Sequence, residues 1–191
     1  TGGAICLEDI DYMAETAVLG GGCFWCLDAA YRQMRGITSV IPGYAGGTVL
    51  HPTYQQVCSG QTGHAEVVQL EWDNTVLSYQ QILESFFVLH DPTTLNRQGH
   101  DVGSQYRSVI FYTSALQHDI AQQVIQSVTN ASLWPAPIVT EVLPLDTFWP
   151  AEAEHHNYYA RHPSAGYCQA VIAPKLAKAR QVLGAMLKPE E

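Results

Sequence analysis

Residues 17–20 are apolar and run into Gly20-Gly21-Gly22, after which Phe24, Leu27, Tyr31 and Met34 recur at helical spacing. That pattern predicts a short strand over 17–20, a tight turn, and a helix over 23–35 that Cys23 opens. A strand is predicted over 37–41, a turn at 43–47, and a short helix over 52–58 with Pro52 in its first turn. Residues 65–72 alternate as a half-buried strand does, which places Glu66 on one face with Val68, Leu70 and Trp72. Ser78 followed by Gln81 is a capping-box signature for a helix that runs through Val88 and ends near Pro92. Residues 90–105, HDPTTLNRQGHDVGSQ, are polar and too long for a plain connector, and they read as a functional loop. A strand over 106–112, a helix from a Ser114 cap to 130, a strand over 138–143 and helices over 151–161 and 174–188 complete the pattern. Strands and helices mix without strict alternation, so the expected fold is α+β, a two-layer sandwich of helices on a central mixed sheet.

With 191 residues at 47% hydrophobic and 14% charged, the chain suits one domain over 1–191, with a core over about 17–168 and a C-terminal helix over 174–188. Nine Lys and Arg against eighteen Asp and Glu leave a formal charge of -9, which repels phosphate backbones and anionic lipid heads. Neither nucleic acid nor a membrane is therefore an expected partner. No stretch approaches the roughly 20 apolar residues of a membrane helix, and no basic start leads into an apolar run, so a cytoplasmic protein is expected. Five cysteines, Cys6, Cys23, Cys26, Cys58 and Cys168, make an odd set in a chain too long for a disulfide-stapled scaffold. Cys58 reads as a buried small hydrophobe in an apolar helical turn, and Cys6 carries no assigned role.

The chemistry gathers at Cys23. A thiol attacks as the thiolate, and the unpaired amides of a helix N-terminus lower a cysteine pKa from its usual value of roughly 8.5. Three preceding glycines would let backbone amides approach a substrate oxygen, although they also suit a plain tight turn. The run GGGCFW lacks the spacing of a nucleotide fingerprint. Cys23 and Cys26 form a C-x-x-C pair, a motif that serves zinc binding, general thiol–disulfide exchange, or a nucleophile with its resolving partner. Zinc would need two more ligands, and there is neither a second C-x-x-C nor a suitably spaced histidine pair, since His155 and His156 are adjacent. Phe24 and Trp25 between the cysteines suit an apolar wall for a small alkyl group, or simply core packing. Glu66, on an inward face, could stay protonated near neutral pH and donate a proton, or could be an edge-of-core glutamate with a hydrogen-bonding partner.

Gly22-Cys23-Phe24-Trp25-Cys26 closely resembles the signature of the A-type peptide methionine sulfoxide reductases, in the subgroup that carries GCFWC. Further resemblances follow in family order: Gly43 to Gly47, Pro52-Thr53-Tyr54 through Gly60, Gly63-His64-Ala65-Glu66, His90-Asp91-Pro92-Thr93, Asn96 to Gly99, Asp101 to Ser108, and Gly166-Tyr167-Cys168. The resemblance implies a ferredoxin-like core and reduction of methionine-S-sulfoxide, free or in oxidised proteins. It implies Cys23 as nucleophile, Phe24 and Trp25 as the methyl pocket, and Tyr54, Glu66 and Tyr106 around the sulfoxide oxygen. Asp101 would support that network, and Cys168 would resolve the oxidised Cys23. Many relatives have glycine where this chain has Cys26, so Cys26 and Cys168 compete for the resolving role, or share it in a relay. His156 stands where the family often has glutamine and reads as peripheral. No metal, flavin or nicotinamide is expected, because electrons would arrive from thioredoxin, or from dithiothreitol in an assay. A monomer is expected. A redox-sensing interaction module and a general thiol–disulfide oxidoreductase are the alternatives.

Overall fold

The computed structural model describes residues 15–189, and Cys6 lies outside them. In chain order come β1 (Thr16–Gly20), α1 (Phe24–Arg32), β2 (Ile37–Ala45), α2 (Tyr54–Cys58), β3 (Ala65–Trp72) and α3 (Tyr79–Leu89). Two short strands, β4 (Arg97–Gln98) and β5 (Asp101–Val102), lead through a 3-10 turn at Ser104–Tyr106 into β6 (Val109–Tyr112). Then follow α4 (Ala115–Asn130), β7 (Glu141–Pro144), β8 (Phe148–Pro150), a 3-10 turn at Ala153–His155, α5 (Tyr158–Arg161), a π-helical turn at Cys168–Ile172 and α6 (Ala173–Leu183).

Six strands form one sheet in the order β7-β6-β1-β3-β2-β8. Every neighbouring pair is antiparallel except β6 with β7. The inner strands β6-β1-β3-β2, with α1 between β1 and β2 and α3 between β3 and β6, reproduce the βαββαβ plan of a ferredoxin-like core. The expected α+β class with a mixed sheet holds. One face carries Ala17, Leu19, Val40, Tyr44, Val68, Leu70 and Ile110 into the main core, against Phe24, Leu27 and Tyr31 of α1 and Ile82 and Phe86 of α3. The other face holds a smaller cluster of Val18, Ala45, Ala65, Val67, Val109 and Phe111. Strand parity puts Glu66 on the main-core side, paired across β2 with Tyr44, and the carboxyl is almost fully buried. Among the described residues no helix is long and apolar enough to cross a membrane.

Ser78 and Gln81 form the expected capping box, and Ser114 caps α4 through the Gln117 amide. Several boundaries differ from the predicted ones. Residues 43–45 extend β2 instead of turning, because β8 pairs with them, and a Cβ at Gly43 would collide with the Trp149 carbonyl. Pro52 lies outside α2, whose N-cap is Thr53 in a capping box with Gln56. The strand predicted over 106–112 begins only at Val109, after the 3-10 turn, and the one over 138–143 is shifted to Glu141–Pro144. The helix predicted over 151–161 is broken where Asn157 adopts a left-handed φ of 53°.

Candidate active site

β1 ends in the glycine turn that delivers Cys23 to the N-terminus of α1. Gly22 has φ +89°, a conformation open to glycine, and its N–H donates to the Tyr106 carbonyl at 3.2 Å. The Gln98 side chain covers Gly22, while its amide clasps Asp91, accepting from the Asp91 N–H at 2.9 Å and donating to the Asp91 carbonyl at 3.0 Å. The polar segment 90–105 thus buttresses the turn that carries Cys23.

Cys23 is buried, and its side chain caps no amide. The Phe24 N–H donates instead to Glu66 Oε1 at 3.1 Å. The helix N-terminus predicts an acidified thiol, but burial, the Cys23 hydrogen bond to Cys26 and the nearby Glu66 hold its pKa well above the usual range. That same Cys23 bond pulls Cys26 down to about 7 against the effect of burial, with help from Lys175 and Tyr167. The C-x-x-C pair therefore gives up a proton near neutrality more readily than Cys23 would alone.

Glu66 is pushed up to about 8 by burial, which outweighs the stabilising Phe24 amide. Its second oxygen, Oε2, is buried and has no hydrogen-bond partner among the described residues. A carboxyl that is neutral at pH 7 and anchored by one oxygen leaves the other free to hold a transferable proton. Tyr54 and Tyr106 are half-buried against the same core, and burial followed by the charge of Glu66 raises both phenols far above their usual range. Both hydroxyls remain donors.

The aromatic wall is continuous. Phe24 is fully buried and faces Tyr54 at 6.1 Å between ring centroids, and Trp25 lies flat on Tyr158 at 3.8 Å. His155 touches Phe24, Trp25 and Tyr54, and Glu152 accepts from the Tyr44 hydroxyl at 3.0 Å and the Tyr54 N–H at 3.1 Å.

Asp101 sits on the thiol side of this site. Its Oδ2 accepts from the Tyr167 hydroxyl at 2.7 Å, and that hydroxyl lies 3.7 Å from Cys26 Sγ. The charge of Asp101 also raises Glu66. Cys168 is fully buried at the start of the π-turn, and burial and the neighbouring Cys26 push its pKa up. Cys23, Cys26, Cys58 and Cys168 are all free thiols. Cys58 is exposed rather than buried, because five-residue α2 turns only Val57 inward. The His156 ring bonds the Ala151 carbonyl at 3.0 Å.

Sequence reasoning passed over His155, Glu152, Tyr158, Tyr44 and the role of Tyr167. The adjacent histidines and the quoted Gly166-Tyr167-Cys168 were the available signals, and neither told which ring would face Trp25 or Asp101. Glu152, Glu154 and His155 bring ligand atoms within 4.8 Å of one another. However, Trp25 Nε1–H occupies His155 Nδ1 as a donor, which leaves the ring proton on Nε2, the nitrogen a metal would need.

A family model described as peptide methionine sulfoxide reductase matches residues 15–186. A peptide methionine sulfoxide reductase MsrA of Thermus thermophilus is 54% identical over 175 residues, covering 92% of this chain and 98% of the relative. That of Paenarthrobacter aurescens is 56% identical over 173 residues, covering 91% and 98%. Among solved structures, reduced Mxr1 from Saccharomyces cerevisiae superposes with a TM-score of 0.76 at 31% identity, over 81% of this chain and 88% of that one.

Proposed function

Because the chain belongs to the peptide methionine sulfoxide reductase family as an MsrA-type oxidoreductase, we propose that Cys23 reduces methionine-S-sulfoxide, free or in proteins, as its nucleophile. Tyr54, Tyr106 and protonated Glu66 donate hydrogen bonds to the sulfoxide oxygen, while Phe24 and Trp25 receive the methyl group. The Cys23 thiolate attacks the substrate sulfur to form an S–S bond while Glu66 Oε2 protonates the sulfoxide oxygen, and that hydroxyl then passes to the Cys23 sulfur as the S–O and S–S bonds break. Methionine leaves with its sulfur reduced by two electrons, and Cys23, oxidised by two, becomes a sulfenic acid.

Cys26, already hydrogen-bonded to Cys23 and the more acidic of the pair, condenses with the sulfenic acid and releases water. Cys168 displaces Cys23 from that bridge, and the Cys26–Cys168 disulfide is reduced by an external dithiol such as thioredoxin. Asp101 and Tyr167 hold the Cys26 side of this relay. On the run Gly22-Cys23-Phe24-Trp25-Cys26 we assign the chain to the GCFWC subgroup. The electrons pass through thiols alone, so no resident cofactor is needed. One domain, acting as a monomer, carries the reaction, and four free cysteines suit the reducing cytoplasm.

The observation that carries this reading is the buried Glu66 carboxyl, tied to the backbone beside Cys23 by one oxygen with the other left unpartnered. Thiol–disulfide exchange breaks no S–O bond and leaves no oxygen for that carboxyl to protonate. Single-turnover release of methionine by the reduced enzyme tests the reading. Glu66→Gln should slow release on the order of a hundredfold, whereas an unchanged rate would make Glu66 structural.

A further inference from the structure

The three aromatic side chains that wall the site share one neighbour that the chemistry above leaves without a task. The His155 ring lies 4.3 Å from Tyr54, 5.4 Å from Phe24 and 5.8 Å from Trp25, centroid to centroid. Trp25 Nε1–H donates to His155 Nδ1 at 3.2 Å. An indole nitrogen only donates, so Nδ1 presents its lone pair and the neutral imidazole keeps its proton on Nε2. That Nε2 is buried and has no hydrogen-bond partner among the described residues. It faces Glu152 Oε2 at 3.9 Å and Glu154 Oε1 at 3.8 Å, too far for hydrogen bonds but a field that favours a donor pointing toward them. Glu152 is tied in turn to Tyr44 and to the Tyr54 N–H.

The geometry points to His155 as a positioning residue for sulfoxide reduction, a tautomer-locked ring that fixes the Trp25 indole and sets the spacing between the methyl wall and the Tyr54 hydroxyl. Tyr158 fixes the face of the indole, and His155 fixes its edge. Without an acceptor at Nδ1, the half-buried indole N–H loses its partner and gains by turning toward water, which opens the wall. What the wall holds rests on the proposed function. A methyl pocket grips substrate and transition state alike, so its loss raises KM and leaves kcat nearly unchanged.

Two variants isolate the acceptor. His155→Asn and His155→Gln both remove the ring and its stacking, but asparagine alone keeps an acceptor, Oδ1, where Nδ1 stood. With methionine-S-sulfoxide and dithiothreitol, His155→Gln should raise KM about tenfold or more, the discrimination typical of one methyl-sized contact. His155→Asn should recover most of that loss. In nitrogen-15 spectra of the wild type, His155 should show a bare Nδ1 and a protonated Nε2. The Trp25 indole N–H peak, assigned by its loss in Trp25→Phe, should exchange slowly with water in wild type and His155→Asn and quickly in His155→Gln. Equal KM values in the two variants, or a proton on Nδ1 of the wild type, would overturn the proposal. The wild-type spectrum decides it even if a variant fails to fold. A wild type that binds Trp25 in this way yet reduces no sulfoxide would refute the proposed function and leave the His155 tautomer standing.

Discussion

At the scale of one residue, the burial that suits Glu66 to the proposed role of proton donor also makes it costly to ionise. Its pKa is raised from 4.5 to about 8 in the folded chain. The folded state therefore holds a proton that the unfolded state has lost between those values, and stability contributed by the neutral form is present below the unfolded pKa and lost as pH rises through about 8. Glu66→Gln keeps an acceptor for the Phe24 amide and cannot ionise. The variant should match wild type in stability near pH 4, gain on it by up to about 1.4 kcal/mol per pH unit on the way to pH 8, and stay ahead above that. Urea unfolding at several pH values reads this out. A constant difference across the range would mean that Glu66 titrates as an ordinary surface carboxylate. Tyr54 and Tyr106, whose phenols are pushed far up, remain donors throughout that range.

At the scale of elements, the turn between β1 and α1 bears the strictest demand. A Cβ at Gly22 would sit 2.6 Å from Gln98 Cγ, with φ at +89°. Gly22→Ala should cost about 1–3 kcal/mol of stability and displace Cys23. Gly166→Ala, where the added Cβ meets nothing within 4 Å, should be neutral or slightly stabilising. Denaturant midpoints for the two variants check the contrast, and equal effects would contradict it. The same turn shows what the sequence could reveal. Alternation in 65–72 sends Glu66 inward, the Ser78–Gln81 capping box marks α3 and the Ser114 cap marks the start of α4, because those signals are local. β8 was hidden, since a three-residue strand ending in proline has no periodicity and exists only through its pairing with β2. His155 was hidden for the related reason that it meets Trp25 from 130 residues away, across a segment whose helical pattern breaks at Asn157. The helix-dipole argument for an acidic Cys23 failed because the first free amide of α1 goes to Glu66, and burial then decides the sign.

Across the whole molecule, the two halves of the proposed cycle fall to different residues around Cys23: Glu66, Tyr54 and the aromatic wall for the substrate, and Cys26, Tyr167, Asp101 and Cys168 for the reductant. The halves should separate genetically. Cys168→Ser should release one methionine per enzyme in a single turnover and keep some activity with dithiothreitol, yet lose cycling with thioredoxin. Mass spectrometry should then find a Cys23–Cys26 bridge in that variant and a Cys26–Cys168 bridge in oxidised wild type. Full thioredoxin cycling in Cys168→Ser would end the relay at Cys26 instead. The most direct test of the central claim is to incubate pure enzyme with racemic methionine sulfoxide and dithiothreitol and to count the methionine formed by wild type and by Cys23→Ser. Wild type should consume the S epimer, leave the R epimer, and stop at half of the substrate, while Cys23→Ser, folded, should form none. Consumption of both epimers by wild type, or near-normal turnover by Cys23→Ser, would contradict it.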